Sequence, residues 1–317
     1  LEVALLPLLL APCLALSGGA LGATRLPALL CAVAAIPVLW ALLGRCRVEG
    51  ATRWLITAVV ALHPLVVGFA GMAMTEAPSL LLTWLVLLLW LKDEESVTVG
   101  SAAAVRGRET ATTTARLGAA LGLGLLVGLG LLLRTDFLAL GVAGLLWLVL
   151  RRRWRATAAT ALGGLLPLLP WWWYCHGLGN GYLREAGVAW WDPSPLPLRL
   201  WHSLVVYLGD YVPQVVTLVA GDKLTALAAA HGLLPGVIVG RWLATALLVW
   251  GAIRLRRRLP ALLTMFVVVR LAMLLGFARV TRYLLPLLPL LLLYLRAGVE
   301  GLGCALGRAR ARAASPS

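Results

Sequence analysis

Charged residues are scarce in this chain of 317 residues, and acidic residues are the scarcest. Asp and Glu number 13 against 28 Lys and Arg, and the four types together make up only 13% of the sequence. With 61% hydrophobic residues and a mean hydropathy of +0.92, the chain has too little polar surface for a soluble globule of this size. Composition therefore predicts an integral membrane protein.

Several familiar functional patterns are also missing. The five cysteines form no CxxC pair and no metal-ligand spacing, so neither a disulfide framework nor a cysteine metal site is expected. There is no internal repeat, no heptad pattern and no Gly-rich phosphate loop. The glycines of LGLGLLVGLG fall in an apolar run, where they favour close helix packing. No cofactor is predicted, although a divalent metal held by residues upstream of Leu1 stays an open alternative.

The formal charge of +15 is concentrated in short clusters that cap apolar runs. No basic groove interleaved with aromatic residues is present, so nucleic acid is not an expected partner. The clusters lie at alternate junctions, which the positive-inside rule assigns to the cytoplasm. They are Arg45 to Arg53, Lys92 to Arg116, Arg151 to Arg155, Arg254 to Arg258 and Arg308 to Arg312.

Nine apolar runs are predicted to cross the membrane, since about 20 apolar residues span roughly 30 Å of hydrocarbon. They cover residues 25–44, 54–71, 77–91, 117–133, 137–150, 157–174, 233–250, 260–277 and 284–300. The predicted fold class is all-α: a polytopic integral membrane protein with about nine transmembrane helices and interfacial helices on the outer face. Residues 1–317 are expected to form one domain.

Three segments lie outside these predicted spans. Residues 1–17 are apolar but interrupted by two prolines, which indicates an interfacial or re-entrant helix on the outer face. Residues 93–116 are rich in Ser, Thr and Ala and predict a flexible cytoplasmic loop. Residues 176–231 predict an outward-facing loop with an amphipathic helix, and the Trp171-Trp172-Trp173 run before it is typical of an interfacial aromatic belt.

The candidate functional groups are the few polar residues near the outward ends of the spans. Arg270 lies within an apolar run, where a charge costs roughly 2.5–3.5 kcal/mol at the bilayer centre, so it requires a partner or a wet cavity. Arginines at the outer edge suit a bidentate grip on a phosphate. The candidates are His63, Glu76, Arg134, Asp136, Arg270, Arg279, Arg282 and Tyr283.

Each candidate also has a structural interpretation. Glu76 is placed to stabilise a helix N-terminus. Asp136 can pair with Arg134 at the tip of a hairpin, and the outermost arginines can snorkel to the interface. His63 precedes a proline and fits a hydrogen-bonded residue at a helix kink better than a base. The sequence leaves the functional and structural interpretations open.

Five stretches carry a family resemblance through their order along the chain. They are ATRLPALLCAVAAIPVLWALLGR, ALHPLVVGFAGMAMTEAPSLLL, LGLLLRTDFLALGVAGLLWLVLRRR, LPLLPWWWY and RYLLPLLPLLLLY. In this order they resemble the polytopic glycosyltransferases of the GT-C class. The resemblance is closest to bacterial relatives of the dolichyl-phosphate-mannose protein mannosyltransferases and of the aminoarabinose transferase of lipid A.

The resemblance implies a GT-C-like fold and an enzyme of the outer face of the bacterial cytoplasmic (inner) membrane. Such an enzyme moves a sugar from a polyprenyl-phosphate donor to a hydroxyl of a lipid, glycan or protein acceptor. It implies that Glu76 assists catalysis while the principal base lies in a loop before Leu1, and the absence of an initial Met fits a chain that continues upstream. Donor-phosphate binding is implied for Arg279, Arg282, Tyr283 and Arg270, with His63, Arg134 and Asp136 as further candidates.

A second hypothesis is a polytopic transporter or flippase of a lipid-linked or anionic substrate. In that case Arg270 and Arg241 would line the substrate path. Against it, the sequence has no matching pair of Gly/Pro-broken spans and no acidic residue inside a predicted span. A non-catalytic assembly subunit is a third hypothesis.

Overall fold

The computed structural model describes residues 5–18, 20–72, 74–103, 109–177, 195–216, 221–276 and 281–314, and no strand occurs among them. The α-helices are α1 Leu5–Leu16, α2 Leu26–Arg45, α3 Gly50–Ala61, α4 Pro64–Ala70, α5 Glu76–Ala103, α6 Glu109–Leu133, α7 Leu138–Leu150, α8 Trp154–Gly177, α9 Leu196–Val206, α10 Val212–Val216, α11 Gly221–Ala230, α12 Leu234–Leu255, α13 Ala261–Gly276 and α14 Leu288–Ala314. Between them lie the 3-10 segments Leu21–Arg25, Thr135–Phe137 and Thr281–Leu287, and the π-helical segment Tyr207–Tyr211. The predicted all-α class is confirmed.

Two compact units divide the chain that the sequence treats as one domain. Unit 1 comprises Leu1–Pro193 and Leu262–Met273, and unit 2 comprises Ser194–Ala261 and Leu274–Ser317. The first boundary, between Pro193 and Ser194, lies in the proline-containing stretch DPSPLP at residues 192–197.

Four helical stretches in the described part of the chain are long and apolar enough to cross a membrane. They are Gly22–Arg45, Thr114–Leu133, Leu234–Leu255 and Arg282–Arg308. Helices α3 and α4 make a fifth if the bent pair is one span, while Thr135–Leu150 and Ala261–Leu275 are apolar but shorter. Each predicted span falls largely in helix where it is described, although 54–71 is divided between α3 and α4, and a total of nine spans stays a prediction.

Side-chain exposure agrees with a membrane location. Helix α12 exposes large apolar side chains along its length, with Val239 at 66%, Leu243 at 58% and Trp250 at 52%. At the end of α8, Trp172 and Trp173 are exposed by 61% and 76%. Contiguous exposed apolar surface of this kind is unfavourable in water and suited to contact with lipid.

Glycines let α6 pack closely against α8. A Cβ atom on Gly124 would lie 2.0 Å from the Thr160 carbonyl oxygen, and one on Gly128 would lie 2.3 Å from that of Gly164. The Thr160 hydroxyl donates a hydrogen bond to the Ala120 carbonyl at 3.2 Å. The prediction that the glycines of this apolar run permit close helix packing is therefore confirmed for Gly124 and Gly128.

A break separates α3 from α4, and the two helices are bent by 53°. Leu62 and His63 form the break, and Pro64 begins α4. His63 has an extended backbone (φ −61°, ψ 126°), and its Nδ1 accepts a hydrogen bond from the Leu65 amide at 3.2 Å. Pro64 fits the first helical position because that position needs no backbone donor.

The predicted cytoplasmic loop 93–116 is largely helical, which corrects the expectation of a flexible connector. Helix α5 continues to Ala103 and α6 begins at Glu109, with residues 104–108 outside the described part. Alanine and charged residues in this segment favour helix, and no proline interrupts it.

The other two segments outside the predicted spans are helical where they are described. Within 176–231, α9 to α11 and the π-helical segment are helical, while residues 178–194 and 217–220 lie outside the described part. The N-terminal segment forms α1, and its interfacial or re-entrant position stays a prediction.

Candidate functional site

Four charged side chains of unit 1 form one buried network. Glu76 is the first residue of α5, Arg134 and Asp136 lie in the turn between α6 and α7, and Arg270 belongs to α13. Arg134 Nη1 is 2.8 Å from Glu76 Oε1, and Arg134 Nε is 3.4 Å from Asp136 Oδ1. Arg270 Nη2 is 2.5 Å from Asp136 Oδ2. Each side chain therefore contacts the next in the order Glu76, Arg134, Asp136 and Arg270.

The network is removed from solvent. The exposed fraction of the side chain is 3% for Arg134, 4% for Glu76 and Arg270, and 12% for Asp136. Taking charges out of water is costly, and opposite charges with good geometry offset that cost. Two carboxylates and two guanidinium groups make the network formally neutral, so each charge has a counter-charge in contact.

Further hydrogen bonds orient the two arginines. Arg270 Nη1 donates to the backbone carbonyl of Asp136, in addition to the side-chain contact. Arg134 Nη1 donates to Thr75 Oγ1 at 3.2 Å. Thr75 also accepts the first backbone bond of α5, from Ser79 at 2.9 Å, so Arg134 is bound to the N-terminus of that helix. The planar fork of arginine suits such multiple contacts.

Local sequence explains why the α6–α7 turn presents its charges to α5. Arg134 is extended (φ −156°, ψ 135°), which ends α6, and its amide still bonds to the Gly130 carbonyl at 2.7 Å. Phe137 is 2% exposed and folds back onto α6. A Cβ atom on Gly130 would lie 2.2 Å from the Phe137 ring, so only glycine leaves room for this turn.

On α5, the helix dipole favours the negative charge of Glu76 at the N-terminus of the helix.

The network joins residues that the sequence placed in separate groups. Asp136 pairs with Arg134, as the structural interpretation predicts, but it also pairs with Arg270. Arg270 therefore obtains the partner that its position in an apolar helix requires. His63 is 2% exposed and caps α4, which agrees with its interpretation as a kink residue.

The remaining predicted donor-binding residues belong to unit 2. Arg282 and Tyr283 lie in the 3-10 segment before α14, and the Arg282 guanidinium carbon is 5.5 Å from the Tyr283 ring centroid. Both side chains are half-buried. Arg279 lies outside the described residues.

Unit 2 contains a second ion pair, of which the sequence indicates only the arginine. Arg241 Nη1 is 2.5 Å from Asp210 Oδ1, and Arg241 Nη2 donates to Thr225 Oγ1 at 2.6 Å. Gln214 Nε2 also donates to Asp210 Oδ1, at 2.5 Å. Asp210 lies in the π-helical segment, a distortion frequent at functional sites. Arg241 within an apolar span was the available signal, since such a cation requires a partner.

Among the residues that the structure describes, no group of three or more His, Cys, Asp or Glu side chains could hold a metal ion. Comparison of the chain with protein-family models, with curated proteins and with solved structures gives no match.

Proposed function

We propose that the protein is a membrane glycosyltransferase that moves a sugar from a polyprenyl-phosphate donor to an acceptor hydroxyl at the outer face of the membrane. The observation that carries the proposal is the buried network of Glu76, Arg134, Asp136 and Arg270 in an all-helical, apolar chain. Charges inside apolar helices are expensive and commonly mark functional sites. The order of the motifs that resemble GT-C enzymes supports the same reaction.

The proposed reaction forms a bond between the acceptor oxygen and the anomeric carbon of the sugar. The bond between that carbon and the phosphate oxygen breaks, and the polyprenyl phosphate leaves with the bonding electrons. Fixed cations stabilise the charge that develops on the phosphate, which is the role proposed for Arg282 with Tyr283. The proton of the acceptor hydroxyl passes to a carboxylate base, which the family resemblance assigns to a loop before Leu1.

Glu76 is proposed as a positioning residue and not as the base. It is 4% exposed and in contact with Arg134, so its carboxylate is engaged. By holding Arg134 it orients the α6–α7 turn, and Arg270 holds the same turn through Asp136. A site held from both sides is preorganised, which is how proteins stabilise a developing charge efficiently.

The proposed topology has nine spans and places the network on the outer side. Arginine clusters lie at the opposite junctions, which the positive-inside rule assigns to the cytoplasm. The bacterial cytoplasmic membrane is the proposed location, because the donor's lipid tail requires access to the site from a bilayer.

Sugar transfer in membranes that contain the full-length protein tests the proposal. Radiolabelled polyprenyl-phosphate sugars are the donors, and label in acceptor material is measured. Glu76→Gln and Arg282→Ala are each expected to lower the rate by about 10²-fold, the usual scale for losing one electrostatic contact in an active site. Glu94→Gln is the matched control, because Glu94 lies in the same helix and pairs with Arg151. It should transfer at the wild-type rate.

Two results would contradict the proposal. Wild-type transfer rates in both Glu76→Gln and Arg282→Ala would remove the site assignment. No transfer by the wild-type protein, with movement of a lipid-linked or anionic substrate across proteoliposomes, would favour a transporter. The pair of Arg241 with Asp210, which lies in the π-helical segment, is the observation that favours that alternative, and Arg241→Gln should then block movement.

A further inference from the structure

A cleft lined by arginines lies at the end of unit 1 where the α7–α8 turn meets α6. Its volume is about 480 Å³, and Arg116, Arg152, Arg153, Arg155 and Trp154 contribute to its lining. No acidic residue occurs in the lining among the residues that the structure describes. Four cations around one cleft create a strongly positive site at a junction that the sequence assigns to the cytoplasmic side.

Acidic residues of α5 hold the turn beside this cleft. Both terminal nitrogens of Arg153 lie 3.1 Å from Asp93 Oδ2, and Arg151 Nη2 lies 3.1 Å from Glu94 Oε1. Arg151 also stacks over the Trp147 ring, 4.4 Å from its centroid. Arg151 and Arg153 thus take part in fixing the turn, and Arg116, Arg152 and Arg155 supply the further cations of the cleft.

Arg152 has a backbone conformation that favours glycine. Its φ is +55°, and the amides of Arg152 and Arg153 bond to the carbonyls of Val149 and Leu148 at 2.8 and 2.9 Å. This is the helix end in which the left-handed residue is usually glycine. Arginine at this position costs backbone stability, and it places a guanidinium group in the lining of the cleft.

An apolar groove between α5 and α6 adjoins the cleft. Its volume is about 540 Å³, and Leu89, Leu123 and Leu126 are among its lining residues. Asp93 lines the groove and contacts Arg153, which lines the cleft, so the two spaces meet at this ion pair. A positive cleft beside an apolar groove matches a charged headgroup attached to an acyl chain.

We propose that the cleft binds the phosphate headgroup of an anionic phospholipid, with an acyl chain along the α5–α6 groove. Guanidinium groups bind phosphate oxygens through charge-assisted, often bidentate hydrogen bonds. Basic pockets between helices on the cytoplasmic side are suited to such headgroups. The site uses none of the residues assigned to sugar transfer. The lipid proposal can therefore be tested separately from the proposed enzyme activity.

Lipid binding by the purified full chain tests the proposal. Native mass spectrometry in detergent measures retention of phosphatidylglycerol against phosphatidylcholine, and inorganic phosphate is titrated as a soluble competitor. The variant Arg152→Gly with Arg155→Gln removes two cations of the cleft while glycine relieves the left-handed backbone. Arg256→Gln with Arg257→Gln is the matched control, because these exposed arginines form another cluster that the sequence also assigns to the cytoplasm.

The wild-type protein should retain phosphatidylglycerol in preference to phosphatidylcholine. The cleft variant should weaken that retention at least tenfold, while the control changes it by less than twofold. Equal losses in both variants would mean general charge attraction and overturn the site. Displacement of the lipid by millimolar inorganic phosphate, with equally tight binding of phosphate alone, would overturn the lipid assignment in favour of a soluble anion.

The single variant Arg152→Gly is the control for correct folding. It should melt at or above the wild-type temperature, because glycine suits the positive φ. Its phosphatidylglycerol retention should still fall. Wild-type retention by a folded Arg152→Gly protein and by a folded Arg155→Gln protein would also overturn the proposal.

Discussion

Arg270 is a cation in an apolar helix, and its accommodation depends on a residue 134 positions earlier in the chain. The sequence shows that such a cation requires a counter-charge, because an unpaired charge in hydrocarbon is expensive. It does not show which acid provides it. Asp136 does so only because the α6–α7 turn and α13 meet in unit 1, and that meeting depends on packing between distant segments.

Asp136→Asn should strongly destabilise the protein. The change leaves Arg270 and Arg134 buried beside a neutral amide, and breaking a buried pair in this way costs about 3–5 kcal/mol. Thermal unfolding in detergent, followed by circular dichroism, measures the effect. Glu300→Gln is the control, since Glu300 forms an exposed pair with Arg296 at 2.6 Å and its loss should cost about 0.3–0.5 kcal/mol. Equal melting temperatures for the two variants would contradict a buried charge network.

Substitutions of His63 distinguish a role as a helix cap from a role as a catalytic base. His63→Ala should lower stability by about 1 kcal/mol, because the amide of Leu65 loses its acceptor. His63→Asn should recover most of that stability, since asparagine is a good cap, and it should transfer sugar as well as the wild-type protein. The melting temperature and the transfer rate are both measured. A stable His63→Asn protein without transfer would instead make His63 part of the reaction.

Helices were the elements easiest to predict, because long apolar runs bounded by charge leave few alternatives. The segment 93–116 was the exception. Its Ser, Thr and Ala content predicts a loop, but its described residues are helical. Ion pairs on α5 at Asp93 and Glu94 also fix this end of the helix to the α7–α8 turn, a contact that periodicity alone does not reveal.

Gly124→Ala should weaken the packing of α6 against α8. The added methyl group would lie 2.0 Å from a carbonyl oxygen of α8, so the helices must separate, at a cost of about 1–3 kcal/mol. Gly118→Ala is the matched control in the same helix, because nothing lies within 4 Å of its Cβ position. That control should leave stability unchanged or raise it, since alanine favours helix. Thermal unfolding of the two proteins in detergent decides the outcome.

At the scale of the whole molecule, ion pairs lie at the two ends of the apolar part of α5, as expected for a membrane-spanning helix. Glu76 contacts Arg134 at one end, and Asp93 contacts Arg153 at the other. At 1.5 Å per residue the two acids are about 26 Å apart along the helix, close to the roughly 30 Å of a bilayer core. The apolar run between them is bounded by charges, which explains why α5 is not among the four helical stretches that are long and apolar enough to cross a membrane.

Labelling of single cysteines in a cysteine-free protein tests the topology. Thr135→Cys and His231→Cys should react with a membrane-impermeant maleimide in intact cells, because both positions are exposed and predicted to face outward. Arg257→Cys should react only after permeabilisation, since its arginine cluster is predicted to be cytoplasmic. Labelling of Arg257→Cys in intact cells would contradict the nine-span arrangement.

Composition and local runs of apolar residues predict a membrane protein, the all-α fold and the helical segments. The sequence also identified most of the charges that proved to be buried. The three-dimensional fold was needed to show that Glu76, Arg134, Asp136 and Arg270 belong to one network and that arginines of a helix turn line a cleft. The physical reason is that pairing of charges depends on which distant helices pack together, and apolar helices carry little sequence information about their neighbours.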